Sequence, residues 1–157
     1  MEHTRPAETA DLGRVVALFG ELHDELAAMR GGGLWAAREA RREPVEASLA
    51  AQLDDPDACV LVGLIDEVVV GFGVIVVETL SGGERLGRIT ELFVEEPARA
   101  VSVGEAITDG LLAFASERGV VGVDALALPG HRAAKNFFEE QGFTARALIM
   151  HRAAPPR

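Results

Sequence analysis

The chain has no tyrosine, a single cysteine and a single lysine among its 157 residues. The missing phenol removes one common side-chain proton donor. The lone Cys59 excludes an internal disulfide and any multi-cysteine metal site. It sits in the apolar run Ala58-Cys59-Val60-Leu61-Val62, which suits a buried strand cysteine better than a nucleophile. The four histidines, His3, His23, His131 and His151, lack the local spacing of a metal cluster, and no metal is expected. No apolar run reaches membrane length, and the opening Met-Glu-His-Thr-Arg is not a charged-then-apolar leader. The expectation is a cytoplasmic protein with no membrane partner. Basic residues are also scarce: 15 Lys and Arg stand against 25 Asp and Glu, a net charge of −10. Nucleic-acid binding needs a basic face and is not expected. A cationic small partner is compatible with this balance.

What is present is enough apolar sequence for one core. The apolar fraction is 48%, and the length suits one domain over residues 1–157. Thr4 to Ala7 reads as a short edge strand limited by Pro6. From Asp11, apolar residues at Leu12, Val15, Val16, Phe19, Leu22, Leu26 and Met29 hold helical spacing. Gly31-Gly32-Gly33 stops that helix and, with Leu34-Trp35, predicts a mobile loop in which Trp35 lines a pocket or packs on the first helix. Pro44 opens a second helix carrying Val45, Leu49 and Leu53. Cys59 to Ile65 and Val68 to Val77 are β-branched runs joined by Asp66-Glu67, a hairpin, and Leu86 to Val94 returns as a third strand of a meander. Gly71 and Gly73 predict a bulge or a close neighbour. Val120 to Leu128 reads as a strand, His131 to Gln141 as a short helix capped by Gly142, and Phe143 to His151 as a final strand. The order is β-α-α-β-β-β-α-β-α-β, an α/β chain with a mixed sheet covered by helices on both faces.

The stretch from Arg88 to Phe114 organises the rest. A strand ending in Leu92-Phe93-Val94 turns through Glu95-Glu96-Pro97 into the small, mostly uncharged segment Arg99-Ala100-Val101-Ser102-Val103-Gly104, and a helix follows. Unpaired N–H groups at such a helix mouth, with the positive end of the helix dipole, make a site for a phosphate or pyrophosphate. An ordinary β-α corner has the same elements.

Four local patterns in this order resemble the GCN5-related N-acyltransferase superfamily. They are Arg5-Pro6-Ala7 with Asp11; Val60-Leu61-Val62 through Val70-Gly71-Phe72; Leu92-Phe93-Val94 with Pro97 and Arg99; and Ala134 to Phe143, which ends in Gly142-Phe143. The resemblance spans essentially the whole chain. It implies a sheet whose fourth and fifth strands splay apart, acetyl-coenzyme A as co-substrate, and transfer of the acetyl group to an amine of a small molecule or protein. It assigns cofactor contacts to Leu92, Phe93, Val94, Arg99, Ala100, Val101, Ser102, Val103, Gly104, Glu105, Asn136 and Phe138. Ser102 stands where the family loop has its first glycine, which is tolerable provided that position needs no positive φ. A backbone N–H near Phe93 would polarise the thioester. Glu91, three residues before Val94, stands where the family often keeps a general base; a solvent-facing alternate is the other reading. The family's usual tyrosine acid is matched here by Phe138. His131 could donate or relay a proton, contact the pantetheine arm, or simply cap its helix. A non-catalytic acyl-CoA-binding domain and a structural domain that has lost coenzyme A are the rival readings. A homodimer through edge strands is plausible.

Overall fold

A computed structural model describes residues 1–99 and 102–157. Five strands form one sheet in the order β1-β2-β3-β4-β5. They are β1 (Glu2–Pro6), β2 (Ala58–Ile65), β3 (Val68–Thr79), β4 (Arg85–Val94) and β5 (Val123–Ala125). The first four pair antiparallel and β5 joins β4 in parallel, giving the mixed α/β sheet that the alternation of elements predicts. The β2–β3 connection is Asp66-Glu67, with φ of 48° and 69°. Two left-handed residues give the twist that suits a tight hairpin.

Helices cover both faces. On one side α1 (Leu12–Ala27) and α3 (Val45–Leu53) pack on the sheet through Leu12, Val15, Leu18, Phe19, Leu22, Val45 and Leu49, against Val60, Val62, Phe72, Val74 and Phe93. On the other, α4 (Val103–Glu117) sets Val103, Ile107, Leu111 and Ala115 against Leu61, Val70, Ile75 and Ile89. Its close seat depends on Gly73, where an added methyl would come within 2.6 Å of Ile107. That is the close neighbour expected at this glycine, and Gly71 faces the Phe93 carbonyl in the same way. The register shift in the β2–β3 ladder also falls here: Gly63 faces Gly71 but Leu64 faces Val69, so the extra residue is Val70, beside Gly71.

Two expectations are corrected. The glycine run after α1 is ordered helix: Gly32–Leu34 (α2) continues into a wide π turn, Trp35–Glu39. Gly31 takes φ +82° to end α1, and Gly32 lies so close to the Leu26 carbonyl that a Cβ would approach it to 1.9 Å. The glycines are there to fold the chain back onto α1, and Trp35 is buried against it, 5.6 Å from the His23 ring. The second correction concerns Phe143 to His151, which forms no strand. Past Phe143 the segment is exposed and pairs with no other strand; the helix before it, α5 (Arg132–Glu140), buries no residue, and the segment's tie to the sheet is the ion pair of Arg146 with Asp124 of β5. Among the described residues no helix is long and apolar enough to cross a membrane.

Candidate active site

The β4–β5 ladder is short. Gly87, Arg88 and Ile89 pair with Val123, Asp124 and Ala125, and beyond Ile89 β4 runs on without β5. The parting begins at Thr90, which the β3–β4 register skips: Val74 faces Glu91 while the next pair is Ile75 with Ile89. An extra residue in one strand bends it and increases its twist. It also reverses the side-chain alternation, so Ile89 faces α4 whereas Glu91 and Phe93 face α1 and α3.

The freed edge has a defined polarity. The Glu95 N–H donates to the Val70 carbonyl of β3. Alternate residues of an antiparallel strand address the same neighbour, so Phe93 also turns its N–H toward β3. The amides of Leu92 and Val94 therefore face the gap. The Val94 carbonyl confirms this direction, since it accepts a 2.7 Å bond from Arg99 Nε rather than from β3. A donor for a developing oxyanion is available at Leu92 or Val94, one residue either side of Phe93.

Beside that edge lies the mouth of α4. Among the described residues, nothing accepts a backbone bond from the N–H groups of Ser102, Val103, Gly104 or Glu105; the first such bond of the helix runs from Ala106 to Ser102. Ser102 has φ −78°, a value open to any residue, so the condition for replacing glycine there is met. Val103 is buried and offers only its backbone, while Glu105 is exposed in the first turn. Ala100 and Val101 lie outside the described residues. Arg99 is committed elsewhere: its guanidinium pairs with Glu25 of α1 at 3.0 and 3.3 Å and lies over the Phe93 ring. The donor set at this mouth, amides with no acceptor among the described residues at the positive end of a fifteen-residue helix, fits a diphosphate.

On the far side of the gap stands α5. Asn136 is exposed and Phe138 half-buried, the latter packed on Phe137 and Phe143. The aromatic ring beside α4 is that of Phe137, 3.5 Å from where a Gly104 methyl would be. Its place next to Phe138 in sequence hid this, since only the helix phase decides which ring turns inward. His131 caps α5. Burial pushes its imidazole below the ordinary value; Glu25 pulls the other way and Arg99 adds to the lowering. The structure thus brings His131, Arg99 and Glu25 into one electrostatic neighbourhood at the end of β4.

Glu91 is not solvent-facing. Its carboxylate is 4% exposed and meets Arg41 along both oxygens, Nε to Oε2 at 3.0 Å and Nη2 to Oε1 at 2.7 Å. The Thr90 hydroxyl donates to Oε1 as well. Arg41 in turn donates to Ser48 and Gln52 of α3. This fork-to-fork pairing is the strong geometry for guanidinium and carboxylate. Arg41 stands in a run of arginines between two helices, and nothing in that run marks one of them as buried, so the sequence held no sign of the pair.

Two clefts adjoin these groups. The larger, about 780 Å³, opens between α1 and the π turn, with His23, Asp24, Arg38, Arg41, Glu43 and Glu46 on its walls. A smaller one, about 300 Å³, lies beside Phe93 and is walled by Glu21, Asp24, Glu25, Glu96 and Arg99. Glu95 turns away from it to pair with Arg14 at 2.7 Å. Cys59 stays out of the chemistry: burial raises its thiol pKa and keeps it protonated.

A sequence model of the acetyltransferase (GNAT) family matches residues 21–143. No curated protein sequence matches the chain. Solved structures share the fold. A glucosamine-6-phosphate N-acetyltransferase from Arabidopsis thaliana superposes with a TM-score of 0.71 at 15% identity, over 98% of each chain. An aminoglycoside acetyltransferase from an uncultured soil metagenomic sample gives 0.71 at 17%, over 99% of this chain and 97% of that one. A transcriptional regulator from Bacillus halodurans gives 0.72 at 21%, over 96% and 99%.

Proposed function

Because the chain belongs to the acetyltransferase (GNAT) family, we propose that it moves an acetyl group from acetyl-coenzyme A to a primary amine of a small molecule or protein, by direct transfer. The observation that carries this reading is the parting of β4 from β5 past Ile89, beside the amides of Ser102 to Glu105 at the start of α4, which meet no acceptor among the described residues. Coenzyme A, when bound, supplies the acetyl group as a thioester. The chain's part is to hold and polarise. The α4 amides grip the diphosphate. The Leu92–Val94 edge takes the pantetheine arm, and Asn136 and Phe138 with Phe137 form the opposite wall. An amide of Leu92 or Val94 steadies the oxyanion. The carboxylates of the smaller cleft favour a cationic acceptor, which arrives protonated and must lose a proton before attack.

That proton has two proposed takers. His131, held neutral at pH 7 by its burial, suits proton acceptance or relay better than the acid role the missing tyrosine would fill. Glu91 takes a proton only in a state where Arg41 has turned away, because protonation forfeits a close charge pair. The thiolate then leaves without a tyrosine donor, protonated by water or by the ammonium product.

A second reading, a non-catalytic acyl-CoA-binding domain with a sensing or regulatory role, draws on Phe138, which has no proton to give, and on the closed Arg41–Glu91 pair. A thiol-release assay with acetyl-CoA and a panel of amines decides between them. Amine-dependent release supports the transferase; no release from a chain that still binds the thioester supports the sensor. His131→Gln and Glu91→Gln should each lower turnover by about a hundredfold where the residue is the base. A change in acceptor KM with turnover intact would make Glu91 a positioning residue acting through Arg41.

A further inference from the structure

The larger cleft carries side chains that the reaction above leaves without a task. Arg38, Arg41 and Arg42, three of the fifteen basic residues of an acidic chain, stand on its wall. Arg38 belongs to the π turn, an uncommon winding that recurs at functional sites. Arg38 and Arg42 are exposed, whereas the Arg41 side chain is only 5% exposed, so the guanidinium groups run from the rim inward. Among the described residues Arg42 pairs with no carboxylate, and Arg38 touches only Glu39, at 3.8 Å. So long and open a contact holds little. The neighbouring carboxylates serve α3 instead. Glu43 accepts the Val45 N–H at 3.3 Å, and Glu46 lies in the first turn, where the helix dipole favours it.

Both clefts reach the same face of the open strand. Arg41 ties the larger one to Glu91, and Phe93, two residues on, lines the smaller one. Asp24 stands on the wall of both, so the clefts adjoin there. Their charges differ. Around Phe93 the carboxylates of Glu21, Asp24, Glu25 and Glu96 meet Arg99 alone. The larger cleft adds two uncommitted guanidinium groups at its rim. An acidic pocket beside the open edge of β4 thus continues into a cleft that offers donors for an anion.

We propose that the acceptor amine itself carries an acid group, a carboxylate or a phosphate monoester, and binds across both clefts as a zwitterion. This rests on the transferase reading and names the class of its acceptor. The ammonium sits among the carboxylates by Phe93, and the acid group lies against Arg38 and Arg42. A guanidinium receives either kind of anion through paired N–H donors. The acid group also bears on Arg41. Four of the five N–H donors of Arg41 are taken, by Glu91, Ser48 and Gln52. An incoming anion competes for the two that hold Glu91, whereas a neutral or purely cationic acceptor offers Arg41 nothing in exchange. An acidic acceptor therefore supplies the event that frees Glu91. The ammonium then gives one proton to the Glu91 carboxylate, and its nitrogen bonds to the thioester carbon. The carbon–sulfur bond breaks with its electron pair on sulfur, and a second nitrogen proton passes through water to the thiolate.

Matched acceptors test this in the full chain, with thiol release from acetyl-CoA as the readout. The pairs are γ-aminobutyrate with butylamine, ε-aminocaproate with hexylamine, and O-phosphoethanolamine with ethanolamine. The acidic members should exceed their partners in kcat/KM by about tenfold or more. A preference confined to the carboxylates or to the phosphate identifies the acid group. Arg38→Gln with Arg42→Gln, both at exposed positions, should raise KM for the acidic members by about tenfold and so collapse the preference. Calorimetric titration of the same amines into the chain holding coenzyme A separates this proposal from the reaction. Binding that favours the acidic members, without release by any amine, keeps the ligand class and rejects the transferase. Release that favours the neutral members, or a polyamine such as spermidine, keeps the transferase and overturns the acidic acceptor. A preference that survives Arg38→Gln with Arg42→Gln overturns it too. Neither binding nor release with any amine overturns both.

Discussion

The molecule has two unequal regions. Through Ala115 it is a closed body: every buried side chain among the described residues falls there, from Leu12 to Ala115. After Gly119 no residue is buried, although Val123, Phe137, Phe138 and Phe143 are as apolar as anything in the core. The first region folds around itself. The second leaves its apolar side chains only partly covered. The β4 strand belongs to both, since one side of it is locked to β3 and the other is open past Ile89.

Substitutions can break or sharpen that division. The largest loss should come from the buried pair. Arg41→Ala strands the Glu91 carboxylate in the core and should cost about 3–5 kcal/mol, read by urea denaturation. Arg41→Met combined with Glu91→Leu should recover most of it, because neither charge is then left alone. Phe72→Ala, at 0% exposure, should cost about 3–5 kcal/mol in the same assay. Phe138→Ala should cost about 1 kcal/mol or less while the second region stays half-covered. Equal losses at Phe72 and Phe138 would erase the contrast between the regions.

The smallest effect is a pH dependence at the seam. Burial lowers the pKa of His131 in the folded chain below its ordinary 6.5. Above that value both folded and unfolded chains hold it neutral, and it contributes nothing to the pH dependence. As pH falls through 6.5 the unfolded chain takes up the proton first, so stability declines until the folded-state pKa is passed. His131→Gln should flatten the stability profile between pH 7 and pH 5, and Arg99→Gln, which removes a neighbouring positive charge, should shift the decline to higher proton resistance, that is, to lower stability loss. Denaturation midpoints across that range measure both.

The sequence foretold the closed body well, because apolar periodicity and turn residues are local signals. Leu12 to Met29 at helical spacing and Asp66-Glu67 between two β-branched runs needed no tertiary information. The gap between β4 and β5 was legible only through resemblance. The bulge at Thr90 that opens it leaves no mark in composition, since Thr90 is an ordinary strand residue. The burial of Glu91 was hidden for another reason: its partner Arg41 lies fifty positions away, in a segment with no pattern of its own. The strand expected from Phe143 to His151 has a strand's composition without a strand's partner, and composition reports only the first. Gly32 misled in the opposite direction, because glycine chosen for close approach reads in sequence like glycine chosen for mobility.

Titration calorimetry of the full chain with acetyl-CoA tests the central claim most directly, that the open edge of β4 and the amides of α4 form one binding site. The account predicts saturable binding of one thioester per chain, weakened when salt screens the diphosphate at the helix mouth. Absence of heat at millimolar acetyl-CoA, with the fold intact, would contradict it.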